Sequence, residues 1–176
     1  MNINKTGVKN MLSNTINTLI NQQITKEFFS AYMYLDIANY FEDKGLTGFS
    51  SWFKIQSQEE LDHGMKFYQY LHDNNEKIIL EKIAAPNQHF DSLGDALKES
   101  LKHEEYVTSS INKIYEQATI EKDYRTLEFL NWFIKEQAEE EKSAQELITK
   151  MELTDHNNRG IYLLDRELSK RTYKPA

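Results

Sequence analysis

Apolar side chains recur every three or four residues along four long stretches of the chain, at about 12–42, 46–74, 92–120 and 123–152. This spacing places them along one side of a helix, and each stretch is far longer than the average helix of ~11–12 residues. Short joints separate the first stretch from the second, at Gly45 and Gly48, and the third from the fourth, at Asp123 and Tyr124. Because short joints make neighbouring helices antiparallel, the pattern predicts two helical hairpins.

The second and third stretches are separated by a long connection, residues 74–96, which reads NNEKIILEKIAAPNQHFDSLGDA. It breaks the helical period, contains Pro86, and ends with a candidate helix N-cap at Asp91 or Ser92. The connection is long enough to cross the length of a bundle. It therefore predicts that the third helix starts at the end of the bundle opposite to the end at which the second helix stops.

Near the C-terminus, Asn157, Asn158 and Gly160 precede the stretch IYLLDRELSK, which predicts a short fifth helix followed by a frayed tail. Two prolines and six glycines are too few for a sheet protein with many tight turns. We therefore predict an all-α fold, a four-helix bundle connected up-down, long crossover, up-down, with a short C-terminal fifth helix.

Each of the four long helices is predicted to carry one carboxylate near the middle of its apolar stripe. These carboxylates are Glu27, Glu60, Glu104 and Glu140. The fourth stripe is predicted to run through Leu127, Leu130, Ile134, Gln137, Glu140, Ala144, Leu147 and Met151. Because all four stripes face the core, the pattern brings four carboxylates together inside the bundle.

Four inward carboxylates require a positive charge. Burying one without a partner costs several kcal/mol, whereas a whole domain is stable by roughly 5–15 kcal/mol. Neither lysine nor arginine lies on the stripes, so bound cations are the simplest counter-charge. Glu60 and His63 lie three residues apart on one helical face, so both can reach the same ion. Carboxylates with one imidazole favour iron or manganese over copper, and the set suffices for two ions that share ligands.

Composition narrows the remaining classes of function. A chain of 176 residues fits one domain, and the absence of cysteine excludes disulfides, zinc ribbons, rubredoxin-type iron sites and thiol nucleophiles. A net charge of −7 without a basic run argues against nucleic acid as the main partner. The N-terminus has no continuous apolar targeting segment, and no stretch approaches the ~20 apolar residues of a membrane span. A cytoplasmic protein without a membrane partner is expected.

At these residues the sequence resembles the ferritins, and most closely the non-haem bacterial type. The resemblance covers nearly the whole chain and is carried by the stretches EFFSAYMYL, SQEELDHGMKF, LKHEEYVTSSI, FIKEQAEEEK and GIYLLDREL. It implies a single ferritin-like di-iron domain over residues 1–176. It also implies a homo-oligomeric shell of 24 subunits, which oxidises ferrous iron with dioxygen or hydrogen peroxide and stores the ferric mineral in its cavity.

The resemblance also implies a role for individual residues. Glu27, Glu60 and His63 would hold the first iron, and a bridging Glu60 would hold the second with Glu104 and Glu140. Gln137 would lie close to the pair, and Tyr34 matches a tyrosine near the centre, where it would donate an electron or hydrogen-bond a ligand. A third iron position is implied at Glu59, Glu136 and Glu139, which Glu140 would also reach.

The fourth helix departs from the general di-iron bundle pattern. That pattern has two Glu-x-x-His motifs, whereas this helix offers Gln137 and Glu140 with no histidine. The difference fits a ferritin and speaks against a bacterioferritin, a rubrerythrin or a ribonucleotide reductase radical subunit. No haem is expected, although Met33, Met65 and Met151 leave haem open on composition alone.

Two other interpretations of the function are open. In a purely structural or interaction bundle, the inward carboxylates would form a hydrogen-bonded network and would bind no metal. In a stand-alone oxidase or peroxide scavenger, the di-iron site would act without a shell. The apolar residues of the fifth helix would line a symmetry axis in a ferritin shell, or would cap one end of their own bundle. A mini-ferritin that protects DNA is disfavoured, because its centre lies between subunits.

Overall fold

The computed structural model describes residues 11–86, 89–155 and 157–175, and these residues form five α-helices and no strand. The first hairpin consists of α1 (Asn14–Asp43) and α2 (Thr47–Asp73). Ser13 caps α1 by accepting a hydrogen bond from the backbone N–H of Ile16 at 3.1 Å. Gly45 lies in the joint with a φ of 74°, a left-handed conformation that glycine adopts without steric cost.

The second hairpin consists of α3 (Leu93–Glu121) and α4 (Tyr124–Leu153). Ser92, one of the two predicted caps, accepts a hydrogen bond from the backbone N–H of Asp95 at 3.1 Å, and Asp123 caps α4. The predicted bounds of the four long helices differ from the observed ones by two residues or fewer. The predicted absence of a targeting segment concerns mainly residues 1–10, which lie outside the described residues.

The crossover is fixed to the beginning of α1 where it leaves α2. The carboxylate of Glu76 accepts a hydrogen bond from the backbone N–H of Leu12 at 2.9 Å. Further along, the backbone N–H of Ile79 donates to the side-chain oxygen of Asn21 at 2.6 Å. The contacts therefore advance along α1 as the connection leaves α2, which is the direction that the predicted crossing of the bundle requires. No helix among the described residues combines the length and the apolar character that crossing a membrane requires.

Two apolar clusters fill the bundle, and the predicted carboxylates fall between them along every long helix. The first cluster includes Phe41 and Phe53, whose stacked rings have centroids 5.5 Å apart. The second includes Phe67 and Phe133, stacked at 4.1 Å. In α1, for example, Glu27 lies between residues of the second cluster and residues of the first. The core therefore has a polar middle layer with an aromatic cluster on either side.

The predicted stripe of α4 is wrong at one position. Ile134 is 37% exposed, whereas its neighbour Phe133 is 1% exposed and belongs to the core. The helix turns about 100° per residue, so steps of three, four and three from Leu130 through Phe133 and Gln137 to Glu140 keep to one face. The aromatic ring, which packs on Phe67, occupies the inward position and leaves Ile134 at the edge.

The fifth helix, α5 (Asn158–Leu168), packs its inner face on its own bundle and leaves its outer face exposed. Leu164 and Leu168 are 6% and 3% exposed, whereas Tyr162 and Leu163 are 59% and 54% exposed. The cap interpretation is therefore correct for the first pair. Among the residues that the structure describes, no apolar neighbour covers the second pair.

Contact with α5 also explains Gly48, which lies inside α2 and not in the joint where the sequence placed it. Its backbone N–H donates to the Asp165 carboxylate at 2.8 Å, and the N–H of Phe49 donates to the same oxygen at 3.0 Å. The carboxylate thus caps α2 and complements the positive end of its dipole. A Cβ at Gly48 would lie 1.8 Å from the backbone oxygen of Asp165, so only glycine permits this approach.

Candidate metal centre

Three predicted ligands from α1 and α2 meet in the polar layer. Glu27, Glu60 and His63 are each 1% exposed or less, and one ligand atom from each lies within 4.8 Å of the others. Nδ1 of His63 lies 3.7 Å from Oε2 of Glu60, as the three-residue spacing on one helical face requires. The predicted Glu-x-x-His pair is therefore assembled with a third carboxylate from the adjacent helix.

Burial changes the protonation of these carboxyls. It raises the pKa of Glu27 well above the usual range, and the charge of Glu60 raises it further. Burial likewise raises the pKa of Glu60, with added contributions from the charges of Glu104 and Glu140. Desolvation and like charges both disfavour the ionised form. Without a cation, these groups hold their protons to a higher pH than ordinary glutamates do.

Among the described residues, four buried polar atoms have no hydrogen-bond partner, and all four belong to the polar layer. They are Oε2 of Glu27, Oε1 of Gln56, Oε2 of Glu60 and Nε2 of His63. Buried polar atoms in proteins are almost always paired, so a group of unpaired ones calls for a physical explanation. The two carboxylate oxygens have lone pairs free for a cation at the point where the three side chains meet.

Glu104 from α3 and Glu140 from α4 lie beside this cluster, each held by neutral hydrogen-bond donors. The Tyr34 hydroxyl donates to Oε1 of Glu104, and the side-chain amide of Gln137 donates to Oε2 of the same carboxylate at 3.1 Å. The side-chain amide of Gln56 donates to Oε2 of Glu140 at 2.8 Å. The sequence singled out Tyr34 and Gln137, and the structure places both against one carboxylate.

The carboxyl of Glu104 and the hydroxyl of Tyr34 both have raised pKa values and therefore keep their protons to higher pH. Burial and the charge of Glu140 raise the pKa of Glu104 to about 8, although the Tyr34 and Gln137 hydrogen bonds lower it. Burial, then the charge of Glu104, raises the pKa of Tyr34 well above its usual value, so the hydroxyl remains a donor. A cavity of about 10 Å³ lies beside Glu104 and Glu140, which is room for about one water-sized group.

A chain of hydrogen bonds that the sequence did not reveal orients Glu27. The side-chain amide of Gln23 donates to Oε1 of Glu27 at 2.8 Å, and the Ser110 hydroxyl donates to the Gln23 oxygen at 2.7 Å. The Lys26 ammonium donates to the Ser110 hydroxyl. Such outer partners fix the rotamer of a metal ligand. Only Gln23 carried a signal in the sequence, because it lies one helical turn before Glu27.

The three residues of the implied third position lie next to the polar layer with different exposures. Glu59 is partly buried, and burial raises its pKa to about 7, although the guanidinium of Arg171 lowers it. The charges of Glu140 and Glu136 also act on Glu59, so these carboxylates are within electrostatic reach of one another. Glu136 is half-buried, and burial raises its pKa; Glu139 is exposed. Taken together, these three carboxylates are therefore more open to solvent than the five residues of the first two positions, which are Glu27, Glu60, His63, Glu104 and Glu140.

Comparison with known proteins identifies the family. A family model described as Ferritin-like domain matches residues 17–154, well over half of the chain. The chain belongs to the ferritin family. The resemblance found in the sequence is thereby confirmed. Family membership supports iron binding and iron storage as the general function of this ferritin.

Relatives of this ferritin share its length as well as its sequence. A bacterial non-heme ferritin of Staphylococcus epidermidis is 36% identical over 163 residues, which cover 93% of this chain and 98% of the relative. A bacterial non-heme ferritin of Campylobacter jejuni is 34% identical over 156 residues, which cover 89% of this chain and 93% of the relative. Both matches extend beyond the bundle and include most of the chain.

Solved structures confirm the predicted fold of this ferritin. An open-pore ferritin from the hyperthermophilic archaeon Archaeoglobus fulgidus matches with a TM-score of 0.90 and 38% identity. The match covers 93% of this chain and 100% of the other. The all-α bundle with a short fifth helix is thus the architecture of known ferritins.

Proposed function

We propose that this ferritin is a ferroxidase, which oxidises Fe(II) to Fe(III) at two adjacent iron positions inside its own bundle. The convergence of buried carboxylates from four helices, with unpartnered oxygens, carries the proposal. Isolated carboxylates in such a place are strongly destabilising, and a bound cation converts the same groups into ligands. Iron is here the substrate of the protein as well as its cargo.

The first iron position is formed by Glu27, Glu60 and His63. Their ligand atoms are close enough to converge on one ion, and the hydrogen bond from Gln23 to Glu27 leaves the second oxygen of that carboxylate free. An imidazole nitrogen combined with two carboxylates suits ferrous iron.

The second iron position is formed by Glu60, which bridges, with Glu104 and Glu140. Gln137 and Tyr34 support it through their hydrogen bonds to Glu104. This position is nearly all oxygen, whereas the first has an imidazole. We therefore expect the second iron to bind more weakly and to leave more readily after oxidation.

The reaction needs two electrons, and two adjacent ferrous ions supply them together. Dioxygen takes up these two electrons with two protons to give hydrogen peroxide; a molecule of hydrogen peroxide takes up two electrons and two protons to give two waters. Hard anionic oxygen ligands favour the higher charge of the ferric product. A third iron position beside the pair is formed by Glu59, Glu136 and Glu139, with Glu140 in reach, on the more open side of the centre.

Storage requires a shell, and we propose that 24 copies of this chain assemble into one. Support comes from large apolar side chains that are exposed on the isolated chain and that contacts between subunits would cover. Those on the bundle, the crossover and α5 include Tyr32, Leu35, Leu61, Met65, Ile79, Leu80, Tyr162 and Leu163. Those of α5 fit the symmetry-axis role that the resemblance implies.

Ferrous iron added in air to the metal-free protein tests the proposal. The parent is expected to form ferric absorbance rapidly, in a particle of hundreds of kilodaltons that stays soluble as iron accumulates. A variant with both Glu60→Ala and His63→Ala is expected to oxidise iron slowly, whereas a Glu105→Ala control, altered at an exposed glutamate of α3, behaves as the parent. Equally slow oxidation in all three proteins would mean that the inward carboxylates form a structural hydrogen-bonded network and bind no iron. Fast oxidation in a particle near the 20.8 kDa chain mass would mean a stand-alone oxidase.

A further inference from the structure

The segment that follows α5 returns along α2 and reaches the third iron position. Arg171 donates to the backbone oxygen of Trp52 at 3.4 Å, and its guanidinium lies 4.2 Å from the centre of the Trp52 ring. Two residues later, the Tyr173 hydroxyl donates to the Asp62 carboxylate. Residues 52 and 62 are about 15 Å apart along the helix, so the segment follows α2 for nearly three turns.

Between these contacts, Arg171 forms an ion pair with Glu59. Nη2 of the guanidinium lies 2.5 Å from Oε2 of the carboxylate, and the two side chains are only 20% and 16% exposed. In the other lysine or arginine ion pairs of the described residues, the cationic side chain is 45% exposed or more. The pair is therefore more strongly shielded from water than an ordinary surface pair, and its electrostatic attraction is correspondingly larger.

We propose that Arg171 is the resident counter-cation of the third iron position, and that a metal ion binds there by displacing it. This inference rests on the proposed function of Glu59 as a ligand of that position. A guanidinium donates hydrogen bonds and is always charged, but it has no lone pair for a metal. Arg171 already holds Oε2 of Glu59, and a metal ion bound to the same carboxylate would repel the guanidinium, so the two cations compete for Glu59.

Competition between Arg171 and the metal ion predicts that the guanidinium weakens binding of the third ion, and by about how much. A hydrogen bond between charged groups contributes enough to change an equilibrium constant by about 10- to 100-fold. Removing the guanidinium should therefore tighten the third metal ion by about that factor. None of the described contacts of Arg171 involves Glu27, His63 or Glu104, so the first two ions should bind as before. Arg171 is in this sense a determinant of affinity at the third position only.

Displacement also makes a prediction about the segment itself. When the third ion binds, Arg171 loses its ion pair with Glu59, and the contacts of the same segment with Trp52 and Asp62 lose their central anchor. The backbone amides of residues 169–171, which donate hydrogen bonds to carbonyls of α5, should then exchange with solvent faster. Occupation of only the first two positions should leave that exchange unchanged.

Anaerobic titration of the metal-free protein with Fe(II), followed by calorimetry and by hydrogen exchange of the amides of residues 169–171, tests the inference. The parent is compared with Arg171→Ala, with Arg171→Lys, which retains a cation, and with Lys170→Ala, an exposed control next to it. We expect two tighter ions and a weaker third in the parent, a third ion about 10- to 100-fold tighter in Arg171→Ala, and parent-like binding in the control. Arg171→Lys should fall between.

The outcomes separate this inference from the proposed function. An Arg171→Ala variant with faster exchange but an unchanged third affinity would show that the arginine only anchors the segment, and would overturn the inference. Exchange that does not change when the third ion binds to the parent would overturn it as well. A parent that binds no iron at the first two positions would overturn the proposed function and, with it, the inference.

Discussion

The protonation of Glu104 provides a quantitative test of the polar layer. Burial and the charge of Glu140 raise its pKa from 4.5 to about 8. At pH 7, most of these carboxyls are therefore protonated in the metal-free protein. Replacing Glu104 by glutamine keeps the shape of the side chain and removes the proton equilibrium.

The size of the effect follows from the pKa. The folded state binds this proton more tightly than the unfolded state does, so the proton stabilises the folded metal-free protein at low pH. That stability is lost as the pH rises from 4.5 towards 8. Raising the pKa from 4.5 to about 8 corresponds to about 5 kcal/mol of lost stability, at about 1.36 kcal/mol per pKa unit. Above about pH 8, this group causes no further loss.

Denaturant unfolding of the metal-free protein between about pH 5 and 8, at one fixed protein concentration, measures this loss. The parent and the Glu104→Gln variant should have similar free energies of unfolding near pH 5 and should diverge as pH rises. Near pH 8 the variant should be more stable by several kcal/mol, up to about 5. Glu105→Gln, at an exposed position on the same helix, should follow the parent. Parallel curves for parent and Glu104→Gln would refute the reasoning.

Two further predictions concern the packing of the helices, one on the inward face of α4 and one on the contact between α2 and α5. Phe133→Ala should lower the free energy of unfolding by about 3–5 kcal/mol, because the ring is buried, whereas Ile134→Ala at the partly exposed neighbour should cost much less; thermal unfolding compares them. Equal losses would contradict the corrected stripe of α4. Gly48→Ala should displace α5, because the added Cβ meets the Asp165 backbone, and trypsin should then cut α5 faster. Gly94→Ala, whose Cβ has its nearest neighbour at 3.8 Å, is the control, and equal cutting in both would contradict the packing.

Periodicity and burial cost explain why so much of this protein was predictable. The helix bounds followed from the apolar period, from the candidate cap at Ser92 and from the joint at Asp123, signals that act through neighbours in sequence. The inward carboxylates followed because charge on an apolar stripe is costly and needs compensation. The roles of Tyr34 and Gln137 came from the family resemblance, and the structure supplied their shared partner.

The features that the sequence did not reveal depend on contacts between distant segments. Phe133 and Ile134 are adjacent apolar residues, and only the packing of one on Phe67 decides which faces inward. Arg171 lies in a segment without periodicity, and its partner Glu59 is 112 residues away. Patterns within one helix carry no information about such pairs.

The most direct test of the central claim is to locate the iron. Crystals of the metal-free protein soaked anaerobically in Fe(II) would be measured at the iron absorption edge, so that anomalous scattering marks each ion. We expect one peak among Glu27, Glu60 and His63 and a second among Glu60, Glu104 and Glu140. Crystals that show no peak inside the bundle, or show iron only on the protein surface, would contradict it.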